Sequence, residues 1–380
     1  MAPSPDHTRA LGYVALGTAA SWNTGVLGPT AGEVASSLGL SLGAVGVLGA
    51  TTFFAGLVVA KLGAARLTAA IGTRRAWRVT ALALLGGNLL VAVAPWSAAL
   101  ACGRLTTGIG LGLTLVLGPV LAREAGGDRL VGIFGAAATI GVAGAIGVGS
   151  LIREAGLDWQ VDFAVAAATA LIALALTPTT VDAKVPSGSV LAIFRRSVSR
   201  ASAWRLELLF TTALGIPYIL GVWLVPYLTG EAGLTAVAAG ALGFGLFGLS
   251  AILRPEGGRL DAEGRSLTLL GGVAPLAAAA GLVVLALTDS LAIGAVGVLL
   301  AGIGFAIPYA AMYDEAAHMF PGARIATIGL FSVGANVLPL ALAPIVGAAI
   351  SEGHGTEALL VLAVVPLLAG VANLRPAVPR

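Results

Sequence analysis

Two cationic residues, Lys61 and Arg254, interrupt long apolar stretches of the chain at corresponding places. Each follows a phenylalanine by seven residues, Phe54 before Lys61 and Phe247 before Arg254, so the two segments match at an offset of 193 residues. A charge at the centre of a membrane-spanning helix costs about 2.5–3.5 kcal/mol, and neither cation has an acid one helical turn away. The pattern predicts two positive groups that face one central cavity and bind an anion.

Lys61 and Arg254 also allow a purely structural interpretation. Long basic side chains near a helix end can reach the lipid headgroups, and both residues would then only extend a basic rim. Phe54 and Phe247 would line the cavity under the binding hypothesis and would be ordinary core residues otherwise.

Several polar side chains in apolar stretches are further candidates for this cavity. A buried polar group needs a hydrogen-bond partner, which either a substrate or a neighbouring helix can supply. Besides the two cations, the predicted binding residues are Trp22, Asn23, Tyr218, Ser250, Tyr309 and Asn336.

The elements that position these residues must be membrane-spanning helices. Of the 380 residues only 10% are charged and 58% are hydrophobic, unlike an ordinary water-soluble domain. Since a spanning helix needs about 20 apolar residues, the apolar runs predict an all-α membrane protein with twelve transmembrane helices. The runs lie at about 11–30, 42–64, 79–95, 97–121, 130–151, 160–177, 206–228, 235–254, 267–287, 290–312, 325–350 and 356–373.

Composition also limits the cofactors and partners. One cysteine and three scattered histidines provide neither an intramolecular disulfide nor a metal site, and no cofactor is expected. A formal net charge of +3 gives no reason to expect nucleic acid as a partner. The expected partners are the lipid bilayer and a small anionic substrate, and a monomer is expected. No hydrolase or phosphate-loop motif is present, which argues against an enzyme.

Basic residues predict the orientation, because Lys and Arg near helix ends stay on the cytoplasmic side. With the N-terminus inside, Arg153 is the one basic residue of the predicted outer loops. Both termini are therefore predicted to be cytoplasmic, in a multi-pass protein of the plasma or inner membrane. The polar segment 178–205 predicts a cytoplasmic linker between two six-helix halves, residues 1–177 and 206–380.

The two predicted halves share a short internal repeat. In the loops predicted after the second and eighth spans, residues 65–75 read ARLTAAIGTRR and residues 257–265 read GGRLDAEGR. Superposing Gly72 on Gly264 gives an offset of 192, within one residue of the offset between the two cations. The repeat predicts that the halves are pseudo-symmetric.

The second copy of the repeat matches G-x-x-x-D-x-x-G-R, the signature of the major facilitator superfamily, and the first copy has Ala69 in place of the acid. Residues 104–110 resemble the superfamily's R-x-x-x-G-x-G motif, and residues 159–163, WQVDF, are similar to its W-R-x-x-F segment. The resemblance implies a secondary transporter that works by alternating access. The motif and gating residues that it implies are Gly72, Arg74, Arg75, Arg104, Gly108, Gly257, Asp261, Gly264 and Arg265.

The signature also has a physical rationale. Glycines permit a tight turn between helices, and an acid with nearby arginines can hold an inner gate shut. Asp261 and Arg265 would form such a contact in the second half, and Arg74 and Arg75 would remain in the first. Alternatively, these arginines only fix the orientation. For Arg104 the resemblance implies coupling or bracing of the first helix.

The segment S-x-x-x-R-P-x-G-G, from Ser250 to Gly258, is similar to the eighth helix of the nitrate/nitrite porters of this superfamily. That resemblance implies an anion held by a basic residue of the second helix, here Lys61, and one of the eighth, here Arg254. Because lysine lacks the planar fork of arginine, cyanate-like and small organic anions are candidates beside nitrate and nitrite.

Coupling to protons requires an acid that changes its charge inside the membrane. Glu33, Asp162, Asp314 and Glu315 lie near the ends of predicted spans, and the predicted helix centres contain no acid. The predicted function is therefore exchange or uniport of a small anion. The alternatives are proton-coupled drug efflux and a receptor that transports nothing.

Overall fold

The computed structural model describes residues 7–94, 96–177, 190–264, 268–320 and 324–374. These residues form helices joined by short connections, so the predicted all-α fold is confirmed. The helices are α1 (His7–Gly25), α2 (Leu27–Leu38), α3 (Leu42–Ile71), α4 (Thr73–Val93), α5 (Ser97–Gly127), α6 (Leu130–Glu154), α7 (Gln160–Ala175), α8 (Val190–Ser197), α9 (Ala201–Gly230), α10 (Ala236–Ala262), α11 (Leu270–Ala286), α12 (Leu291–Met319), α13 (Ala326–Ser351) and α14 (Gly355–Leu374).

Most of these helices suit a bilayer. Within the described residues, nine are long and apolar enough to cross a membrane: α3, α4, α5, α6, α9, α10, α12, α13 and α14. Two shorter helices, α7 and α11, are also apolar. The protein is therefore a multi-pass membrane protein, as its composition predicted.

Gly72 and Gly264 end the helices that carry the two cations. Both have positive φ angles, +79° and +72°, a conformation that favours glycine. Residues 65–71 and 257–262 were expected in loops, but they continue α3 and α10 as regular helix. Within the described part of the repeat, Gly72 and Gly264 therefore mark the turns.

Glycine also lets the helices approach closely. Gly108 of α5 lies against the backbone of α3, where an added Cβ atom would come 2.8 Å from the carbonyl carbon of Phe53. Gly141 of α6 lies against α1, where an added Cβ atom would come 3.1 Å from the Cα atom of Thr18. These glycines therefore fix the spacing between neighbouring helices.

Helices α3 and α13 form one antiparallel pair. The backbone N–H of Leu42 donates to the hydroxyl of Ser351 at 3.2 Å, and the hydroxyl of Thr51 donates to the carbonyl of Leu340 at 3.0 Å. As the residue number rises along α3, the contacted residue number falls along α13. The start of α13 therefore lies beside the end of α3 at Gly72.

Helices α6 and α10 form a second antiparallel pair. Gly147 of α6 lies against the ring of Phe244, and Gly240 of α10 lies against the side chain of Ser150. The contacted residue number again falls as the chain advances. Together the two pairs join helices that are distant in the sequence.

Helices α3 and α13 pack closely far from Gly72. We call the end of the bundle that contains Gly72 the Gly72 end. Near the opposite end, an added Cβ atom at Gly46 would come 2.6 Å from the Cα atom of Pro344. The backbones of the two helices are therefore in direct contact there.

Candidate functional site

The ammonium group of Lys61 extends from α3 to α13. Its Nζ atom donates hydrogen bonds to the hydroxyl of Ser332 at 2.8 Å and to the carbonyl of the same residue at 3.2 Å. That carbonyl also accepts a hydrogen bond from the side-chain amide of Asn336. Lys61 is half-buried, and its hydrogen-bond acceptors among the described residues are neutral. Within the described part of the chain, no carboxylate therefore pairs with this positive charge.

The guanidinium group of Arg254 extends from α10 to α6. Its Nη1 atom donates a hydrogen bond to the hydroxyl of Thr139 at 2.6 Å, and its Cζ atom lies 4.0 Å from the ring centroid of Tyr309. This position over the ring is favourable for a cation. The Nε atom is buried without a partner in the described part of the chain. Since a guanidinium has five N–H donors, Arg254 retains donors for a ligand.

The internal repeat relates these two contacts. Lys61 and Arg254 are 193 residues apart, and so are the hydroxyl-bearing residues Thr139 and Ser332. Each contact joins a cation from one predicted half, 1–177 or 206–380, to a hydroxyl from the other half. If the two cations only reached lipid headgroups, their hydroxyl partners would not need to lie at corresponding positions. The match of both donor and acceptor therefore favours a shared role inside the protein.

Aromatic side chains surround Arg254 and link α3 to α9. The rings of Tyr309 and Tyr313 are 5.0 Å apart, and Phe54 of α3 packs against Tyr218 of α9 at 5.7 Å. Tyr218 also lies close enough to Tyr309 and Arg254 to interact with them electrostatically. Of the two predicted tyrosines, Tyr309 therefore contacts Arg254 directly, and Tyr218 lies within electrostatic reach of it.

Three other predicted binding residues have partners elsewhere. The hydroxyl of Ser250 donates to a carbonyl of its own helix at 2.9 Å and to the carbonyl of Gly302 at 3.4 Å. The side-chain amide of Asn23 donates to a carbonyl of its own helix at 3.0 Å. The ring of Trp22 packs on Gly144 of α6. The contacts of these three residues are explained by helix packing.

Arg104 is a third intramembrane cation, and it is completely buried. Its Nε and Nη1 atoms donate to the backbone carbonyls of Gly49 and Asn23 at 2.9 and 2.8 Å, and its Cζ atom lies 4.2 Å from the ring centroid of Phe53. Gly49 belongs to a π-helical turn of α3, Gly46–Thr51. Arg104 thus ties α5 to both α1 and α3.

The glycine-rich motif residues lie at the Gly72 end. Arg74 and Arg75 are exposed in the first turn of α4. Gly257 lies against α12, where an added Cβ atom would come 3.0 Å from the Cα atom of Ile307. Its role is therefore close packing between α10 and α12.

The predicted contact between Asp261 and Arg265 cannot be placed, because Arg265 lies outside the described residues. Asp261 itself is near enough to a second acid, Asp314, to interact with it electrostatically. Two residues before Asp261, Arg259 forms exposed ion pairs with Glu256 at 2.9 Å and Glu263 at 3.0 Å. The gating role of this motif stays a prediction.

The sequence analysis missed one acid inside a helix. The predicted span began at about residue 206, whereas α9 begins at Ala201 and places Glu207 in its second turn. One of its carboxylate oxygens accepts a hydrogen bond from the hydroxyl of Thr211 at 3.4 Å. Glu207 was not among the acids considered, and it lies in the second turn of α9 rather than at its centre. The available signal was the apolar run that follows Glu207, which begins at Leu208, Leu209 and Phe210.

The end opposite Gly72 carries paired charges. Arg153 forms ion pairs with Glu33 and, at 2.8 Å, with Asp162. A cavity of about 610 Å³ is lined partly by Arg153, Glu33 and Glu231. The carboxylate of Glu231 accepts hydrogen bonds from the first backbone N–H groups of α14. Because these charges already have partners, this cavity is a weaker candidate for an anion than the surroundings of the two half-buried cations.

A family model described as Major Facilitator Superfamily matches residues 13–324, most of the chain. The chain belongs to the major facilitator superfamily. This result confirms the resemblance seen in the sequence motifs, and it identifies a membrane transporter rather than an enzyme.

Solved structures of other superfamily members share this fold. A D-xylose–proton symporter is 14% identical, with 97% of each chain covered and a TM-score of 0.78. The xylose transporter XylE from E. coli, in a partially occluded inward-open conformation, is 14% identical, with 96% of each chain covered and a TM-score of 0.75. A bacterial homologue of the human lysosomal transporter Spinster, inward-facing and unoccupied, is 16% identical over 98% of this chain and 97% of its own, with a TM-score of 0.74. No curated protein matches the sequence.

Proposed function

We propose that this superfamily member has twelve transmembrane helices in two six-helix halves, residues 1–177 and 206–380. Helices α1 and α2 would form the first span together, and the segment 178–205 would link the halves in the cytoplasm. The contacts of Lys61 and Arg254, which repeat at 193 residues, support the pseudo-symmetry. The Gly72 end and both termini would face the cytoplasm, because exposed arginines such as Arg74 lie there.

We further propose that the protein transports a small inorganic or organic anion by exchange or uniport. The observation that supports this proposal is the repeated contact between a cation and a hydroxyl. A carboxylate partner would neutralise each cation, whereas a hydroxyl leaves the positive charge available to a negatively charged ligand. Candidate substrates resemble nitrate, nitrite, cyanate or small carboxylates.

The same contacts suggest how binding drives alternating access. Ser332 and Thr139 hold Lys61 and Arg254 across two helix pairs, α3–α13 and α6–α10. An anion that attracts both cations competes with these hydroxyls, so binding weakens one set of contacts between the halves and replaces it with another. A ligand changes a conformational equilibrium through this kind of difference in contacts.

Exchange in liposomes that contain the purified protein tests the proposal. The panel consists of radiolabelled or ion-selectively detected nitrate, nitrite, cyanate, formate and acetate, each present on both sides of the membrane. At low anion concentration, we expect Arg254→Ala to reduce exchange to nearly the level of empty liposomes and Lys61→Ala to reduce it about tenfold. Matched controls are Arg66→Ala and Arg259→Ala, which remove exposed arginines from the same helices and should keep wild-type exchange. Wild-type exchange in both Lys61→Ala and Arg254→Ala would refute the anion site.

Proton-coupled drug efflux is the alternative, and the position of Glu207 near an aromatic cluster favours it. Phe210 lies 5.6 Å from Phe331 and 5.1 Å from Tyr313, measured between ring centroids. A carboxylate beside aromatic rings suits an organic cation. Ethidium efflux from the same liposomes, unaffected by Lys61→Ala and Arg254→Ala, would support this alternative.

A further inference from the structure

The chain carries a cluster of basic residues where it enters α9. Arg195 and Arg196 lie in α8, Arg200 lies in the turn before α9, and Arg205 is the fifth residue of α9. Clusters of about four or more basic residues next to a transmembrane helix are typical of surfaces that bind anionic lipids. The proposed anion site uses none of these arginines, so their role has to be found in their surroundings.

Three of these arginines are exposed. The Cζ atoms of Arg200 and Arg196 lie 4.7 and 6.0 Å from the ring centroid of Phe320, which follows α12. Arg195 directly precedes Arg196. In the described part of the chain, no carboxylate forms an ion pair with any of the three. Their positive charges can therefore attract an anionic group from outside the protein.

A groove between α9 and α14 includes the fourth arginine. Its volume is about 390 Å³, and it is lined by Arg205 and by four apolar residues, Leu208, Leu368, Val371 and Ala372. Leu368 is 51% exposed, and the same helix also exposes Val361, Val364 and Leu367. This side of α14 therefore suits the hydrocarbon of a bilayer. A groove with one basic residue and an otherwise apolar lining suits an amphiphile that has a negative headgroup and a hydrocarbon chain.

The groove lies at one end of the antiparallel pair α9 and α14. At the other end, Glu231 follows α9 and accepts hydrogen bonds from the backbone N–H groups of Gly355 and Thr356 at the start of α14. Arg196 and Arg200 contact Phe320, which lies between α12 and the start of α13. The start of α13 lies at the Gly72 end, and the arginines and the groove therefore lie at that end.

The length of α9 places the groove where lipid headgroups meet hydrocarbon. Helix α9 has 30 residues and is about 45 Å long, which matches the thickness of a bilayer with its headgroups, about 40–45 Å. Arg205 is about 6 Å from the start of α9, within the headgroup layer. Leu208 is about 10 Å from the start, at the edge of the hydrocarbon core. The basic and apolar parts of the groove therefore lie at the depths of the corresponding parts of a lipid.

Exposed apolar side chains accompany the arginines. Trp204 is 55% exposed, and its indole N–H donates a hydrogen bond to the carbonyl of Val198 at 2.9 Å, which fixes the corner between α8 and α9. Phe194 and Val198 are exposed as well. Tryptophan is enriched where a membrane meets water. The surface thus combines charge with apolar area, the two attractions that hold a protein segment on an anionic leaflet.

We propose that the groove between α9 and α14 binds one anionic phospholipid from the leaflet at the Gly72 end. One acyl chain lies along Leu208, Leu368 and Val371, and the phosphate lies at Arg205, with Arg200 adding positive charge. A zwitterionic phospholipid has no net charge and is attracted less. Inorganic phosphate has no chain for the groove. This lipid site does not depend on the proposed anion transport.

Photo-crosslinking locates the site. The purified full chain is placed in phosphatidylcholine nanodiscs with a trace of phosphatidylglycerol that carries a diazirine in one acyl chain. We expect adducts at Leu208 and in the segment 368–372. Ala372→Phe fills the groove and should reduce these adducts by about fivefold or more. Adducts spread evenly over the lipid-facing helices would overturn the proposal.

Competition in the same nanodiscs identifies the ligand chemistry. Unlabelled phosphatidylglycerol should displace the probe at a concentration about tenfold lower than phosphatidylcholine with the same chains requires. Inorganic phosphate should not displace the probe. Equal competition by phosphatidylcholine contradicts an anionic site, and displacement by inorganic phosphate contradicts a site that needs the acyl chain.

Native mass spectrometry of the purified protein with added phosphatidylglycerol tests the arginines. We expect Arg200→Gln combined with Arg205→Gln to reduce binding of the first lipid by about tenfold or more. The matched control combines Arg66→Gln with Arg78→Gln, which removes two exposed arginines from α3 and α4 at the same end and should keep wild-type binding. Ala372→Phe keeps every arginine and should still lose the lipid. An equal loss in the two arginine pairs would mean unspecific attraction to a basic surface and would overturn the proposal.

Discussion

The Lys61 and Arg254 sites occupy corresponding positions, but their surroundings differ. Lys61 directs two hydrogen bonds to one residue, Ser332, whose carbonyl it shares with Asn336. Arg254 uses one hydrogen bond to a hydroxyl, lies over the ring of Tyr309 and keeps its Nε atom unpaired among the described residues. Corresponding positions of the two predicted halves therefore carry different groups. Lys61 provides a compact ammonium charge, and Arg254 provides a planar guanidinium with unused donors.

This difference suggests that the two cations have different roles in anion binding. An ammonium group attracts an anion without fixing its direction, whereas a guanidinium fork aligns with a planar anion through two parallel hydrogen bonds. The aromatic ring under Arg254 also limits how far the guanidinium can turn. We therefore expect Arg254 to set affinity and orientation, and Lys61 mainly to supply charge.

The largest expected effect is the loss of Arg254. Charged hydrogen bonds contribute about 1.5–3 kcal/mol each, so Arg254→Ala should weaken anion binding by about 100-fold and Lys61→Ala by about tenfold. Isothermal titration calorimetry with nitrate and formate measures both variants. Equal losses of affinity, or a larger loss for Lys61→Ala, would show that Arg254 is not the main determinant of anion affinity.

Exchanging the cation types sharpens the same comparison. Arg254→Lys keeps the charge but removes the planar fork, and we expect about a tenfold loss in affinity for nitrate. Lys61→Arg should change the affinity by less than about threefold, because only charge is required there. The comparison of nitrate with monatomic chloride in the same titrations separates shape from charge. An equal loss for both anions would argue against planar recognition by Arg254.

A smaller effect is expected for the ring beneath Arg254. Tyr309→Leu removes a cation–π contact of about 0.5–1 kcal/mol and should weaken nitrate binding by about threefold to fivefold. Tyr309→Phe keeps the ring and should bind within about twofold of the wild type. If Tyr309→Phe lost as much as Tyr309→Leu, the hydroxyl rather than the ring would be the important group.

The smallest effects are expected for the hydroxyl partners. A typical hydrogen bond contributes a net free energy of about 0.5–1.5 kcal/mol. Thr139→Val removes the hydroxyl that competes with the anion for Arg254, so it should increase nitrate affinity by about twofold to fivefold. Ser332→Ala should have a weaker effect, because the Ser332 carbonyl still accepts from Lys61. A loss of affinity in Thr139→Val would mean that the hydroxyl positions Arg254 for the anion instead of competing with it.

The sequence could predict the cations but not their partners. Lys61 and Arg254 are conspicuous because charges are rare in apolar stretches, and the shared phenylalanine spacing relates them. Thr139 and Ser332 are unremarkable residues in apolar helices, and their importance depends on which helices face each other. Applying the 193-residue offset to every polar residue would have paired them, but hydropathy alone does not reveal the helix pairs.

The remaining differences have a related physical origin. Hydropathy locates the apolar centre of a span, whereas a helix ends only where the backbone turns, as at Gly72 and Gly264. The polar ends of α3 and α10 were consequently expected as loops, and the span predicted from about residue 206 begins in the structure at Ala201. Asn23 and Ser250 illustrate a further limit, since polar residues in helices often bond to their own backbone.

A double-mutant cycle on equilibrium anion binding tests the central claim most directly. Nitrate affinity is measured by calorimetry for the wild type, Lys61→Ala, Arg254→Ala and the double variant, with Arg66→Ala and Arg259→Ala as controls. If one anion bridges both cations, the double variant should bind hardly more weakly than Arg254→Ala alone, because the losses are not additive for groups that share a ligand. Losses that add fully, or single variants that bind nitrate like the wild type, would contradict a shared site.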